Sequence, residues 1–160
     1  MSDARIRPAL ATDVPAIHGL ILELAQFENL AEMVRTTATD LRTALFGDHP
    51  AAEALVAERA GAIVGYALFF HNFSTFLGSR GLYLEDLYVK ASERGTGLGT
   101  AMLRHLAALA VERGCGRFEW TVLDWNQKAI DFYEKMGASM LPEWRIVRAS
   151  GAALAQLAGR

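Results

Sequence analysis

At 160 residues, 52% of them apolar and 21% charged, the chain has the size and composition of one globular domain. Its net charge of −2 lacks the basic surplus of nucleic-acid binders of this size, so no nucleic-acid partner is expected. One cysteine, Cys115, excludes an intrachain disulfide and a cysteine metal cage. Between Gly114 and Gly116 it reads as a small residue, or as a nucleophile for which the neighbouring sequence offers no base. His18, His49, His71 and His105 show no ligand spacing, and no metal is expected. Met1–Arg5 has no apolar signal core, and the longest apolar run, Ile63–Phe70, is too short to span a bilayer. The expected address is the cytoplasm, with no membrane partner.

Arg5–Pro8 reads as a short extended segment. Thr12-Asp13 offers an N-cap, Pro15 fits a first helical turn, and Val14, Ile17, Ile21 and Leu24 recur at helical spacing. A second helix is predicted from near Thr39-Asp40 to Gly47. Ala54–Glu58 and Ile63–Phe70 read as a hairpin across Arg59–Ala62. A loop from His71 to Arg80 and a strand from Leu82 to Val89 follow. Leu98, Met102, Leu106 and Leu109 mark one face of a long helix over Gly97–Arg113. Arg117–Leu123 is predicted as a strand, Asn126–Met136 as a helix stopped by Gly137, and Glu143–Arg148 as a last strand. The alanine-rich tail has room for one or two helical turns. With no linker or repeat, residues 1–160 read as a single domain. The order β-α-α-β-β-β-α-β-α-β predicts an α/β (α+β) fold with one mixed central sheet flanked by helices, parallel where the long helix links two strands.

The strongest local signal is Arg94-Gly95-Thr96-Gly97-Leu98-Gly99, between a strand and the long helix. Closely spaced glycines free the backbone to approach a ligand, and the N–H groups opening a helix suit phosphate oxygens. Arg94 adds charge at the rim. The same glycines also fit a tight turn that needs them only for sterics. A P-loop is excluded because no lysine precedes Thr100, and the dinucleotide fingerprint belongs to a first βαβ unit, whereas this motif sits late in the chain. Glu85 and Asp86 stand in mid-strand, which costs free energy unless both face a cleft. Neighbours on a regular strand face opposite sides, so a shared cleft requires a bulge or a sheet opening; otherwise one of them faces solvent or pairs with an arginine.

Arg-x-x-Gly-x-Gly/Ala after a strand and opening a helix resembles the acetyl-CoA motif of the GNAT superfamily of N-acetyltransferases. Nearly the whole chain is similar to the diamine (spermidine/spermine) and thialysine acetyltransferases. The likeness runs through Ile6-Arg7-Pro8-Ala9, Glu23-Leu24-Ala25, Phe27-Glu28, Phe46-Gly47 and His49-Pro50. It continues through Leu82-Tyr83-Leu84-Glu85-Asp86, Trp125-Asn126, Phe132-Tyr133, Gly137-Ala138-Ser139 and Trp144-Arg145. The turn Arg59–Ala62 is shorter than in the animal diamine enzymes, and Glu119–Asp124 differs from theirs.

The resemblance implies the GNAT fold, acetyl-CoA as cosubstrate, a small cationic amine as acceptor, and a homodimer. In the family the backbone of Leu87, Tyr88 and Val89 would hold pantetheine, and Arg94, Gly95, Thr96, Gly97, Leu98, Gly99 and Thr100 the pyrophosphate. Asn126 would touch the pantetheine arm. Tyr133, alone a half-buried aromatic beside Phe132, becomes the general acid for the leaving thiolate, and Asn126 and Tyr133 are two helical turns apart. Glu85 is the candidate base and Asp86 the residue that orients the cation. Phe27, Glu28, Glu143 and Trp144 would line the amine site, with Glu32 a further acidic candidate. Peptide N-terminal acetylation and a non-catalytic CoA-binding regulator are the rival readings.

Overall fold

A computed structural model of the chain describes residues 3–160. The chain divides into two compact units, one running to Thr121 and the other from Val122 to Arg160.

The first unit holds a five-stranded sheet in the order β1-β2-β3-β4-β5. The strands are β1 (Arg5–Pro8), β2 (Glu53–Arg59), β3 (Ala62–Ser74), β4 (Ser79–Val89) and β5 (Arg117–Glu119). β1 to β4 pair antiparallel and β4–β5 pair parallel, giving the mixed sheet expected from the sequence. The helices of this unit are α1 (Val14–Phe27), α2 (Ala38–Phe46) and α3 (Leu98–Glu112), the last linking the parallel pair. Each begins where its sequence allows. Pro15 lies in the first turn of α1, and the Thr37 hydroxyl caps α2 by accepting from the Asp40 N–H at 3.1 Å. Val14, Ile17 and Leu20 of α1 and Leu41 and Leu45 of α2 pack with Val56, Tyr66 and Tyr88 as one core. Burial of these apolar side chains, each contributing about 1.5–3 kcal/mol when complete, fixes the sheet against both helices.

Three expectations require correction. His71–Arg80 is not a loop. β3 runs to Ser74 and β4 starts at Ser79, leaving a tight turn in which the Gly78 N–H donates to the Ser74 carbonyl at 2.8 Å. The dense turn residues Ser74, Thr75, Gly78 and Ser79 masked a hairpin whose last pairs are held by the ladder alone. The strand predicted over Arg117–Leu123 stops at Glu119. The strand predicted over Glu143–Arg148 is absent. Trp144, Ile146 and Val147 carry strand propensity but are exposed, and no ladder partner faces them among the described residues.

The second unit carries α4 (Gln127–Lys135) and α5 (Ala152–Leu157), the latter on the alanine-rich tail as expected.

Candidate active site

The turn before α3 has the geometry of an anion socket. Gly95 and Gly97 adopt φ of 80° and 85°, where a side chain would be strained, so their identity follows from the turn itself. Gly99 is different. It lies inside α3 without such a φ, and a Cβ built there meets nothing within 4 Å. Neither backbone conformation nor packing within the chain accounts for a glycine at this helical position, whereas a ligand occupying that open space would. The first α3 hydrogen bond runs from the Ala101 N–H to the Gly97 carbonyl at 3.0 Å, so the N–H groups of Leu98, Gly99 and Thr100 have no intrahelical acceptor. They stand at the positive end of the helix dipole, a setting that fits a pyrophosphate.

Beside this turn β4 is paired on one side only for most of its length. Its parallel register with β5 covers Gly81–Tyr83, and Leu84–Val89 continue beyond it, paired to β3 alone. Alternate backbone groups of Glu85–Val89 therefore lie on an open edge, able to pair with an extended, amide-bearing chain such as pantetheine. Tyr88 is buried, while Leu87 and Val89 are half-buried.

The mid-strand acids are accommodated by a bulge. In the β3–β4 register Leu68 faces Asp86 and the next residue, Phe69, faces Leu84, leaving Glu85 as the extra residue. The slip keeps Leu82, Leu84 and Leu87 on one face while placing Asp86 on the other, with Tyr66 and Tyr88. Glu85 is exposed and Asp86 half-buried. Asp86 Oδ2 accepts a hydrogen bond from the Tyr66 hydroxyl at 3.0 Å. Burial pushes the Asp86 carboxyl above the usual range, the Tyr66 hydrogen bond opposes that, and the charge of Glu85 adds to it. Glu28, at the C-terminal end of α1, is likewise raised, first by burial and then by the charge of Asp86. Burial, followed by the charge on Asp86, raises the Tyr66 phenol as well.

Among the described residues five other carboxylates are ion-paired, whereas these two, like the half-buried Glu23, are not. Asp13 and Glu58 lie beside Arg7, Glu93 beside Arg59, Glu53 beside Arg113 and Glu119 beside Arg117, at 2.7–3.4 Å. Among the described residues Glu28 and Asp86 have no ion-pair partner. Two neighbouring acids withdrawn from water without a counter-ion have the chemistry that suits a cationic ligand.

Arg94 ties the two regions together. Its guanidinium lies 4.8 Å from the Phe27 ring centroid and 6.0 Å from that of Tyr88. Phe27 and Arg94, expected on the amine and phosphate sides respectively, are thus in contact. Glu32 is exposed after α1.

In the second unit, the Asn126 side-chain oxygen caps α4 by accepting from the Ala129 N–H at 3.2 Å. Asn126 stands just outside the helix, not within it as predicted, and its amide N–H groups are left for other partners. Tyr133 is half-buried, its ring 5.5 Å from that of Phe132. Glu143 and Trp144 are exposed and outside any regular element. Tyr66 was not among the site residues expected from the sequence. A phenol inside the apolar run Ile63–Phe70 must find a polar partner when buried, and that was the available signal.

Residues 20–138 match the acetyltransferase (GNAT) family, and the chain belongs to that family. Across its whole length it is 40% identical to the mouse thialysine N-epsilon-acetyltransferase, all of which is covered. It is 33% identical to an L-ornithine N5-acetyltransferase of Arabidopsis thaliana, with 94% of this chain and 86% of the relative aligned. Among solved structures, an integron cassette protein from the mobile metagenome of V. cholerae superposes with a TM-score of 0.83 at 27% identity, covering both chains completely.

Proposed function

We propose that the chain is an acetyl-CoA-dependent N-acetyltransferase that transfers acetyl directly to a primary amine of a small cationic molecule: a polyamine, a diamine, or a lysine-like amino acid such as thialysine. The observation that carries this reading is the pair of acids without an ion-pair partner, Asp86 on β4 and Glu28 at the end of α1, together with the edge of β4 and the following turn, which are open to a CoA chain. Family membership and the likeness to thialysine and ornithine acetyltransferases support it.

Acetyl-CoA supplies an activated acetyl thioester. Gly95 through Thr100, with Arg94, hold its pyrophosphate, and the backbone of Leu87, Tyr88 and Val89 holds pantetheine, with Asn126 as a further contact. An N–H of that strand polarises the thioester carbonyl, a preorganised donor commonly worth about 3–4 kcal/mol of barrier. Glu28 and Asp86 attract the ammonium form of the substrate, helped by Phe27, Glu143 and Trp144. Glu85, directly or through water, takes the ammonium proton so that the neutral amine can attack. Tyr133 donates its phenolic proton to the departing thiolate and regains one as the acylated nitrogen sheds its proton. We further propose that residues 1–160 act as one catalytic domain in the cytoplasm, as a homodimer. Exposed Val147 and Leu157 offer apolar surface for such an association.

The test is thiol release from acetyl-CoA with spermidine, putrescine, thialysine, lysine, ornithine and an N-terminal peptide. Turnover with a small diamine or diamino acid is expected. Preference for the peptide would favour N-terminal acetylation, and tight acetyl-CoA binding without release would favour a regulatory module.

A further inference from the structure

Tyr66 lies in the middle of β3 and is fully buried in the core shared by α1, α2 and the sheet. It sits opposite Tyr88 and two residues from Leu68, the partner of Asp86. Its hydroxyl is the one polar atom of that side chain, and it donates to Asp86 Oδ2 at 3.0 Å. Among the described residues it is the only hydrogen-bond donor to Asp86, and no arginine, lysine or histidine shares the task. The remaining charges around this carboxylate oppose its ionisation: Glu85 beside it on β4 and Glu28 from the end of α1. Tyr88, which bears on Tyr66, is itself flanked by Glu23 of α1 and by Arg94.

We propose that Tyr66 is a positioning residue, whose buried hydroxyl fixes the orientation of the Asp86 carboxylate that receives the cationic group of the amine. This rests on the acidic-receptor reading given above and adds a determinant one layer beneath it. The physical case is asymmetric. A carboxylate withdrawn from water beside two other acids would take up a proton and lose its attraction for a cation. One charge-assisted hydrogen bond from a rigid, core-packed phenol favours the charged form and fixes one oxygen, leaving the other for the substrate. A phenol present only to fill the core would contribute to stability alone.

The experiment compares wild type, Tyr66→Phe, Asp86→Asn and the double variant by steady-state kinetics with the preferred amine. It also measures inhibition by an alkyltrimethylammonium ion, whose charge does not titrate, as a function of pH. Tyr66→Phe is expected to raise the amine KM about 10-fold, as loss of a hydrogen bond to a charged group does. The acetyl-CoA KM should stay as in wild type. The pH at which inhibitor affinity falls on acidification should move upward, because the carboxylate has lost the donor that opposed the upward push of burial. In the Asp86→Asn background the Tyr66 substitution should add nothing to the amine KM. A Tyr66→Phe enzyme that melts earlier yet keeps wild-type amine KM and pH profile overturns the proposal. Where that variant does not fold, Tyr66→Met is judged by the same two readouts. If Asp86→Asn alone leaves amine KM and inhibitor binding intact, the acidic receptor falls with it. If Asp86→Asn weakens both and Tyr66→Phe neither, only the role of Tyr66 falls.

Discussion

Gly99 offers a probe of the phosphate socket that the other glycines of the turn do not. At Gly97, with φ of 85°, any side chain strains the backbone, at roughly 1–2 kcal/mol, so lost CoA binding there could follow from a distorted turn. At Gly99 the conformation is helical and a Cβ has no neighbour within 4 Å. Valine has a better helix propensity than glycine, by a few tenths of a kcal/mol, so Gly99→Val should leave stability unchanged within about 0.5 kcal/mol. Its two methyl groups would occupy the space in front of the free N–H groups of Leu98, Gly99 and Thr100. Losing one charge-assisted hydrogen bond from pyrophosphate to these donors is worth about 1.5–3 kcal/mol, or roughly 10- to 150-fold in affinity. Calorimetric titration with CoA and the acetyl-CoA KM from thiol release measure the loss, and a melting curve checks the fold. Gly99→Ala, with one methyl, should fall between Gly99→Val and wild type. A stable Gly99→Val protein that binds CoA as wild type does would show that the pyrophosphate does not lie on this turn.

Tyr133→Phe should retain acetyl-CoA affinity while turnover drops by about 10²–10⁴-fold, the span of a general acid; unchanged turnover removes Tyr133 from the chemistry. Glu85→Gln should shift the acidic limb of the rate profile, and a superimposable profile would count against a base. Deletion of Glu85, which removes the extra residue of the bulge as well, should in addition raise the acetyl-CoA KM, because the open edge of β4 loses its bend; equal KM values for the two variants would contradict this. Arg7→Met strands the buried Asp13, whose carboxylate accepts from Arg7 at 2.8 and 3.1 Å, and should destabilise the fold by about 3 kcal/mol in urea titrations. The hydrogen bond from Arg7 holds the Asp13 pKa below its ordinary value. Its contribution is therefore present above the unfolded-state pKa and lost as pH falls through the folded one, so the variant should show a shallower loss of stability in acid than wild type.

How much of this was legible in the sequence depends on whether the determining interaction was local. α1, α2, α3 and α4 were readable because apolar spacing and stop residues lie within each segment, as with Pro15 in α1 and Gly137 after α4, although the capping Thr37 precedes the expected start of α2. The turn before α3 was readable for the same reason, since its glycines encode its φ angles. The extent of the β3–β4 hairpin was not, because pairs such as Asn72 with Gly81 form only across the ladder, and the local residues there are turn formers. The end of β5 and the absence of the last strand are failures of the same origin: β propensity in Trp120–Leu123 or Trp144–Val147 specifies no partner.

The bulge at Glu85 shows where local and non-local information meet. Alternation is broken in Tyr83-Leu84-Glu85-Asp86-Leu87-Tyr88: without a slip, Leu84 and Leu87 would face opposite sides, and Asp86 would turn into the layer that buries Leu82 and Leu84. One extra residue resolves both conflicts at once, so the need for a bulge could be inferred from sequence alone. What could not be inferred is the residue beneath Asp86. Tyr66 is twenty positions away, and only the register that pairs Leu68 with Asp86 brings the phenol to the carboxylate. An acid can be tolerated in a strand by facing a cleft, and here its hydrogen-bond donor comes from the neighbouring strand. On the proposal made above, amine recognition would then depend on the core of the sheet as well as on its surface.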